Sequence, residues 1–185
     1  MSNFPISLNL ENKKILVIGA GKIATSKIKK LLDFTNEITI LAPNINEELE
    51  KLDIKTLKKE YEREDIEGFN IVIACIDDIN LQKEIYKHTR EKSILYNCAD
   101  VFELCDFTFS SIIKKDDLVI SISTSGTSPA FSKDLRKYLD KIIPNSVGNF
   151  LKEMKKLRDT LPKGEKRMEM SRKKSKEFIS SWKKD

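Results

Sequence analysis

A single histidine and three cysteines leave this chain of 185 residues little from which to build a metal centre. His88 cannot form a histidine site by itself and reads as a surface residue. Cys75, Cys98 and Cys105 are odd in number and wrongly spaced for a zinc knuckle or a disulfide frame. No apolar run approaches the roughly 20 residues that a membrane helix needs. The opening "MSNFPISLNLENKK" lacks the basic-then-apolar layout of a secretory leader, and the chain carries no internal repeat. The expectation is a cytoplasmic, reduced protein with no metal, no membrane contact and no nucleic-acid partner. Charged residues make up 34% against 39% hydrophobic, and the net charge of +5 sits towards the C-terminus. The length suits one good core with room for a small second lobe.

What is present alternates between two periods. "ILVIG" is a short, wholly apolar run ending in glycine, the pattern of a parallel strand buried on both faces. "EITILA" (37–42), the weaker "IKTL" (54–57), "NIVIAC" (70–75) and "SILYNC" (93–98) supply four more strands. Between them, Ile23, Ala24, Ile28, Leu31 and Leu32 fall on one helical face, and Asp77-Asp78 stands where it can cap a helix running to about Lys92. After Asp100 the pattern changes. "DFTFSSII" (106–113) and "DLVISIS" (117–123) are strand candidates joined by the polar turn "KKDD". A helix should open at Ser128-Pro129, with proline at its first position, and stop before Pro144. From Val147 to Trp182 the chain is helix-rich, broken at "LPKGEK". The fold class is therefore α/β: a Rossmann-like parallel sheet, a small strand-helix unit and a helical C-terminal region. The expected bounds are 1–115, 116–146 and 147–185.

Gly19, Gly21 and Ala24 form G-x-G-x-x-A directly after a buried strand and at the opening of an amphipathic helix. The first glycine permits a sharp turn, the second lets backbone approach a pyrophosphate, and Ala24 lets helix and strand pack closely. The helix N-terminus offers unpaired N–H groups and partial positive charge to an anion. The alternative is a Rossmann turn with no ligand. The second strand ends in Ala42-Pro43-Asn44, without the acid that often holds an adenosine ribose and without an arginine for a 2′-phosphate. Asn44 can still bond a ribose, which favours NAD over NADP.

Three motifs, G-x-G-x-x-A, "NCAD" after the fifth strand and "ISTSGTSPAF" before a helix, resemble in order and spacing the siroheme-synthase dehydrogenase family, the precorrin-2 dehydrogenases. The opening "FPISLNL" belongs to the likeness, which covers essentially the whole chain. The resemblance implies NAD-dependent oxidation of precorrin-2 to sirohydrochlorin in a homodimer paired through the segment around Ser123–Pro129. By the same resemblance Lys22, Ile23, Pro43 and Asn44 touch the cofactor, and Asp100 is the catalytic carboxylate. Ser123, Thr124, Ser125, Gly126, Thr127 and Ser128 lie beside the substrate cleft. Ser125 stands where relatives often carry glycine, Cys75-Ile76 where they often have Ala-Thr, and Ser110 where proline is common.

Other readings of these residues stay open at this point. Asp100 is either a proton acceptor and partner of a developing cation or the cap of a turn. The turn at 123–128 either binds acetate and propionate groups or only caps its helix. Cys98 fills space rather than attacking. The basic tail suits nucleic acid or the anionic substrate, or else a solvated helical face on which Met168, Phe178, Ile179 and Trp182 pack in part. Two further functions compete: an enzyme that also inserts iron into sirohydrochlorin, and a non-catalytic nucleotide-sensing module.

Overall fold

The computed structural model describes residues 3–182. Five parallel strands form the principal sheet: β1 (Ile15–Ile18), β2 (Ile38–Leu41), β3 (Lys55–Leu57), β4 (Ile71–Ala74) and β5 (Leu95–Cys98). Their order is β3-β2-β1-β4-β5, and Ile15 pairs with Ile38 on one side and Ile71 on the other. Because successive side chains point to opposite faces, β1 feeds two cores. Ile15 and Val17 join Ile38, Ile40, Ile71 and Ile73 beneath Ala24 and Ile28 of α1 (Lys22–Leu32). Leu16 and Ile18 join Leu41, Val72, Ala74 and Tyr96 with Ile85 of α3 (Ile79–Glu91). Helices thus cover both faces, which is why the strands carry continuous apolar runs. Asp78 caps α3 as expected, its carboxylate accepting from the Asn80 and Leu81 amides.

Several expectations need correction. Ile23 is half exposed at the first turn of α1 and does not belong to its core face. His88 is not a surface residue: its Nδ1 lies 2.9 Å from the Tyr61 hydroxyl and the two rings stack. A short helix, α2 (Glu47–Glu50), follows β2, capped by Asn46. Residues 106–110 are not strand. Asp106 Oδ2 takes the Tyr96 N–H at 2.8 Å and Arg90 clamps the same carboxylate, so a side chain fills the place of a ladder carbonyl.

The chain divides into two compact units, Pro5–Phe109 and a second built from Ser110 onward. In the second, β6 (Ser111–Lys115) pairs antiparallel with β7 (Leu118–Ile122), so a boundary at 115/116 would cut this hairpin. Ile113, Ile143 and Val147 make its core, joined by Leu139 and Ile142 of α4 (Pro129–Ile142), Leu151 of α5 (Val147–Thr160) and Phe178 of α6 (Glu165–Ser180). The segments expected at 116–146 and from 147 onward therefore share one core. Lys115 Nζ closes the end of α4 by donating to the Asp140 and Ile143 carbonyls at 2.8 and 2.7 Å, which suits the negative end of a helix.

The second face of the sheet carries groups that must stay protonated. Burial pushes the Cys98 thiol from 9.0 up to about 11, and raises the Tyr96 phenol above its ordinary range. Unfolded, these groups ionise near 9 and 10, so the unfolded chain loses protons that the folded chain keeps. Stability should be fully present below pH ~9 and fall as pH rises towards 11, by on the order of 2 kcal/mol for Cys98 alone. Thermal melts across that range should show the decline, shallower in Cys98→Ala; a melting temperature flat to pH 11 would contradict it.

Candidate functional site

The strand order reverses between β1 and β4, so the crevice of an open α/β sheet opens at their carboxyl ends. Gly19 follows β1 there with φ +102°, and a Cβ at this position would lie 2.2 Å from the Cys75 carbonyl oxygen after β4. Only glycine permits that passage. Gly21 is different: a Cβ there would meet nothing within 4 Å. It is the N-cap of α1 and supplies no side-chain cap. The first intrahelical bond from this cap is Thr25 N–H to the Gly21 carbonyl, so the amides of Lys22, Ile23 and Ala24 have no partner within the helix. Ala24 is fully buried against the sheet. Pro43 and Asn44 lie exposed beyond β2.

Asn46 joins these pieces and escapes sequence reasoning. Its Nδ2 donates to the Ala20 carbonyl at 2.6 Å and to Thr25 Oγ1 at 3.0 Å, while its Oδ1 accepts from the Leu49 amide. One side chain thus caps α2 and ties the loop after β2 to the glycine turn. A concavity beside that turn is lined by Lys22, Thr25, Ser26, Asn46 and Glu47, among others. The only local signal was an asparagine at a cap position before "EELE".

At the ends of β4 and β5, a second group of polar residues gathers. Asp100 is exposed, two residues past β5, and its Oδ2 accepts from Gln82 Nε2 at 2.7 Å. Lys27 of α1 donates to Asn97 Oδ1 at 2.6 Å and lies over the Phe109 ring. Asn97 in turn donates to the Phe107 carbonyl. Burial raises the Cys75 thiol above its ordinary value, the Lys27 cation opposes that shift and the Asp100 carboxylate adds to it. Cys75 is therefore within electrostatic reach of both charges. Cys98 is buried, donates to the Val101 carbonyl, and its Sγ stands 3.7 Å from that of Cys105. Neither Gln82 nor Lys27 was legible as a site residue, since each partner lies 18 or more positions away.

The turn at 123–128 belongs to the second unit. Ser125 and Gly126 both take left-handed backbone, at φ +50° and +83°, so serine adopts the shape that glycine favours. Ser128 Oγ accepts from the Phe131 amide, Thr124 Oγ1 from the Ser128 amide, and Ser123 Oγ from the Ser125 amide. The Thr127 N–H closes the turn on the Thr124 carbonyl at 2.9 Å. Among the described residues, no group of three or more His, Cys, Asp or Glu side chains is placed to hold a metal ion.

Residues 6–111 match the model of a family described as putative NAD(P)-binding. The chain belongs to this NAD(P)-binding family. It is 32% identical over 156 residues, 82% of its length, to a siroheme synthase of Buchnera aphidicola subsp. Acyrthosiphon pisum (strain APS), covering 33% of that protein. Against a siroheme synthase of Psychrobacter sp. (strain PRwf-1) it is 34% identical over 163 residues, 86% of the chain and 34% of the relative. The chain thus spans about a third of the length of these curated relatives. A solved structure titled "SirC, precorrin-2 dehydrogenase" shares the fold, with a TM-score of 0.74 and 23% identity over 92% of this chain and 88% of that one.

The residues present fit the cofactor that the NAD(P)-binding family implies. A turn that excludes a Cβ at Gly19, open space at Gly21 and three uncapped amides make an anion cradle at the sheet's switch point. The two glycines should therefore fail differently. Gly19→Ala forces backbone apart and should lower stability by several kcal/mol, on the scale of a strained core clash. Gly21→Asp should melt like the unsubstituted protein yet lose NAD binding, because its carboxylate enters the phosphate space. Calorimetry with NAD and a thermal melt on each variant separate the two; retained affinity in Gly21→Asp would remove the turn from the site.

Proposed function

We propose that this protein oxidises precorrin-2 to sirohydrochlorin with NAD. The observation that carries the reading is the Asp100 carboxylate at the end of β5, in the same sheet-end crevice as the glycine cradle. Identity of 32% to a siroheme synthase over 82% of the chain supports it, as does the fold shared with a precorrin-2 dehydrogenase. NAD is assigned over NADP because Pro43 and Asn44, with no arginine, stand exposed at the end of β2. Lys22, Ile23 and Ala24 would hold the pyrophosphate through their amides, with Gly19 and Gly21 giving access.

When bound, the nicotinamide supplies the hydride acceptor. The macrocycle gives up two hydrogens, one with its electron pair and one as a proton. A pyrrole nitrogen beside the reacting carbon stabilises the positive charge that forms, so the protein needs no metal or nucleophile. Asp100 is assigned the proton, and its charge favours the cationic ring before transfer. Ser123, Thr124, Ser125, Gly126, Thr127 and Ser128 are assigned to the substrate's acetate and propionate groups. A hydroxyl that accepts from a neighbouring amide, as those of Ser123, Thr124 and Ser128 do, keeps its own proton to donate to a carboxylate.

The second unit is assigned to a homodimer. Phe131 and Tyr138, seven residues apart on one stripe of α4, are 60% and 58% exposed, and Val119 of β7 is 48% exposed. Among the described residues β7 pairs with β6 alone, and a two-fold partner would cover its outer edge and the exposed stripe together. A reducing, cytoplasmic location suits the unbonded thiols of Cys98 and Cys105.

Purified protein given precorrin-2 and NAD should produce sirohydrochlorin, followed by its absorbance, and turn over faster with NAD than with NADP. Asp100→Ala should slow turnover by roughly 10²–10⁴-fold with NAD affinity kept; a normal rate with a lowered melting temperature would leave Asp100 as a turn residue. Sedimentation at micromolar concentration should give twice the chain mass, reduced to one chain in Phe131→Asp/Tyr138→Asp. A native monomer defeats the dimer assignment.

A further inference from the structure

The residue that aims the Asp100 carboxylate lies on another element, and its chemistry is at odds with its surroundings. Gln82 occupies the first turn of α3 and is fully buried. Its backbone is fixed by the capped helix start, with its N–H donating to the Asp78 carbonyl at 3.0 Å. The side-chain amide has two protons. One goes to the Ile76 carbonyl at 2.6 Å and the other to Asp100 Oδ2 at 2.7 Å. The reverse amide orientation would set an oxygen against two acceptors, so Nε2 must face them. That orientation leaves Gln82 Oε1 buried without a hydrogen-bond partner.

A buried, unsatisfied carbonyl is unfavourable, and an apolar side chain of similar length would remove the defect. Asp100 is exposed, so water can replace the bond it would lose. Holding the Ile76 carbonyl accounts for one amide proton, whereas the other, spent on an exposed carboxylate, adds little to stability and aims that carboxylate. We propose that Gln82 is a positioning residue: its amide holds Asp100 Oδ2, fixes the side-chain orientation and leaves Oδ1 to accept the substrate's proton. This rests on the proposed role of Asp100 in the dehydrogenation. A second contact ties Gln82 to β5, since the Tyr96 hydroxyl donates to the Gln82 carbonyl at 2.8 Å. Both ends of the residue thus set the spacing between α3 and the strand that carries Asp100.

The test is a double-mutant cycle on the full chain with precorrin-2 and NAD, using Gln82→Met, Asp100→Ala and the pair. Gln82→Met should lower kcat by roughly 10–10²-fold, the scale of a misaimed catalytic group, while KM and Kd for NAD stay unchanged. Its melting temperature should change by only a few degrees, because the lost Ile76 bond offsets removal of the unsatisfied Oε1. In the Asp100→Ala background the same substitution should cost no further activity, because Gln82 acts through that carboxylate. Independently of turnover, the Gln82 side-chain amide resonances should move in Asp100→Ala. If Gln82→Met does not fold, the shorter Gln82→Leu, which also removes the donor, completes the same cycle with the same expected coupling. Full activity in the Gln82 variant beside a slow Asp100→Ala would overturn the positioning role alone, as would a loss that adds in full to that of Asp100→Ala. Full activity in Asp100→Ala would remove the reading of Asp100 and this inference together.

Discussion

The crossing of Gly19 over the Cys75 carbonyl sets the geometry of the site. The two backbones pass so closely that a single added carbon would sit 2.2 Å from the oxygen. That approach lets β1 end beside β4 and turn at once into α1, and α1 then brings Ala24 and Ile28 down on the sheet. Widen the crossing, and the helix N-terminus moves away from the ends of β4 and β5, where the charged groups gather. The glycine turn and the polar group at the ends of β4 and β5 are thus coupled through one missing side chain. Gly21 carries no such mechanical duty, since its side-chain direction is open. Two glycines two positions apart serve two separate physical needs: one makes the fold possible, and the other leaves room for a ligand.

The sheet was legible because its strands bury both faces, and an unbroken apolar run of four or five residues admits few other readings. The capped start of α3 at Asp78 and the proline start of α4 were equally plain, since each depends on chemistry within three or four residues. Legibility failed where a distant partner replaces a local rule. "DFTFSSII" alternates like a strand, yet Asp106 gives its carboxylate to the Tyr96 amide and to Arg90. Ile23 falls on the apolar arc of its helix, yet at the first turn it stays half exposed, while Ala24 and Ile28 take the core positions. His88 looked solvated among polar neighbours in sequence, but Tyr61, 27 residues away, stacks on it.

The same distinction divides the site itself. Gly19, Gly21 and Ala24 announce themselves by spacing, because each answers to the turn it stands in. Asn46, Gln82 and Lys27 do not, because each acts across a gap of 18 to 70 residues. All three are polar side chains drawn inward at the carboxyl ends of the strands. There they satisfy backbone carbonyls or hold another side chain. Polar groups withdrawn from water cost free energy unless paired, so their concentration at one end of the sheet marks where the molecule needs fixed hydrogen bonds rather than packing.

Two helix starts in this chain look alike in sequence and differ in how their donors are used. At α1 the cap is glycine, no side chain bonds back, and the first amides remain for a ligand. At α4 Ser128 bonds back to the Phe131 amide, and Thr124 takes the Ser128 amide. Its backbone donors are partly consumed by its own turn. What such a turn can still present is hydroxyl protons, held in place by the amides that their oxygens have accepted. The first start offers fixed dipoles at the end of a helix, a donor set of the kind that suits a phosphate. The second offers several rotatable donors on a tight left-handed turn, suited to carboxylates on flexible arms. That difference in donor chemistry supports the separate ligands proposed for the two turns.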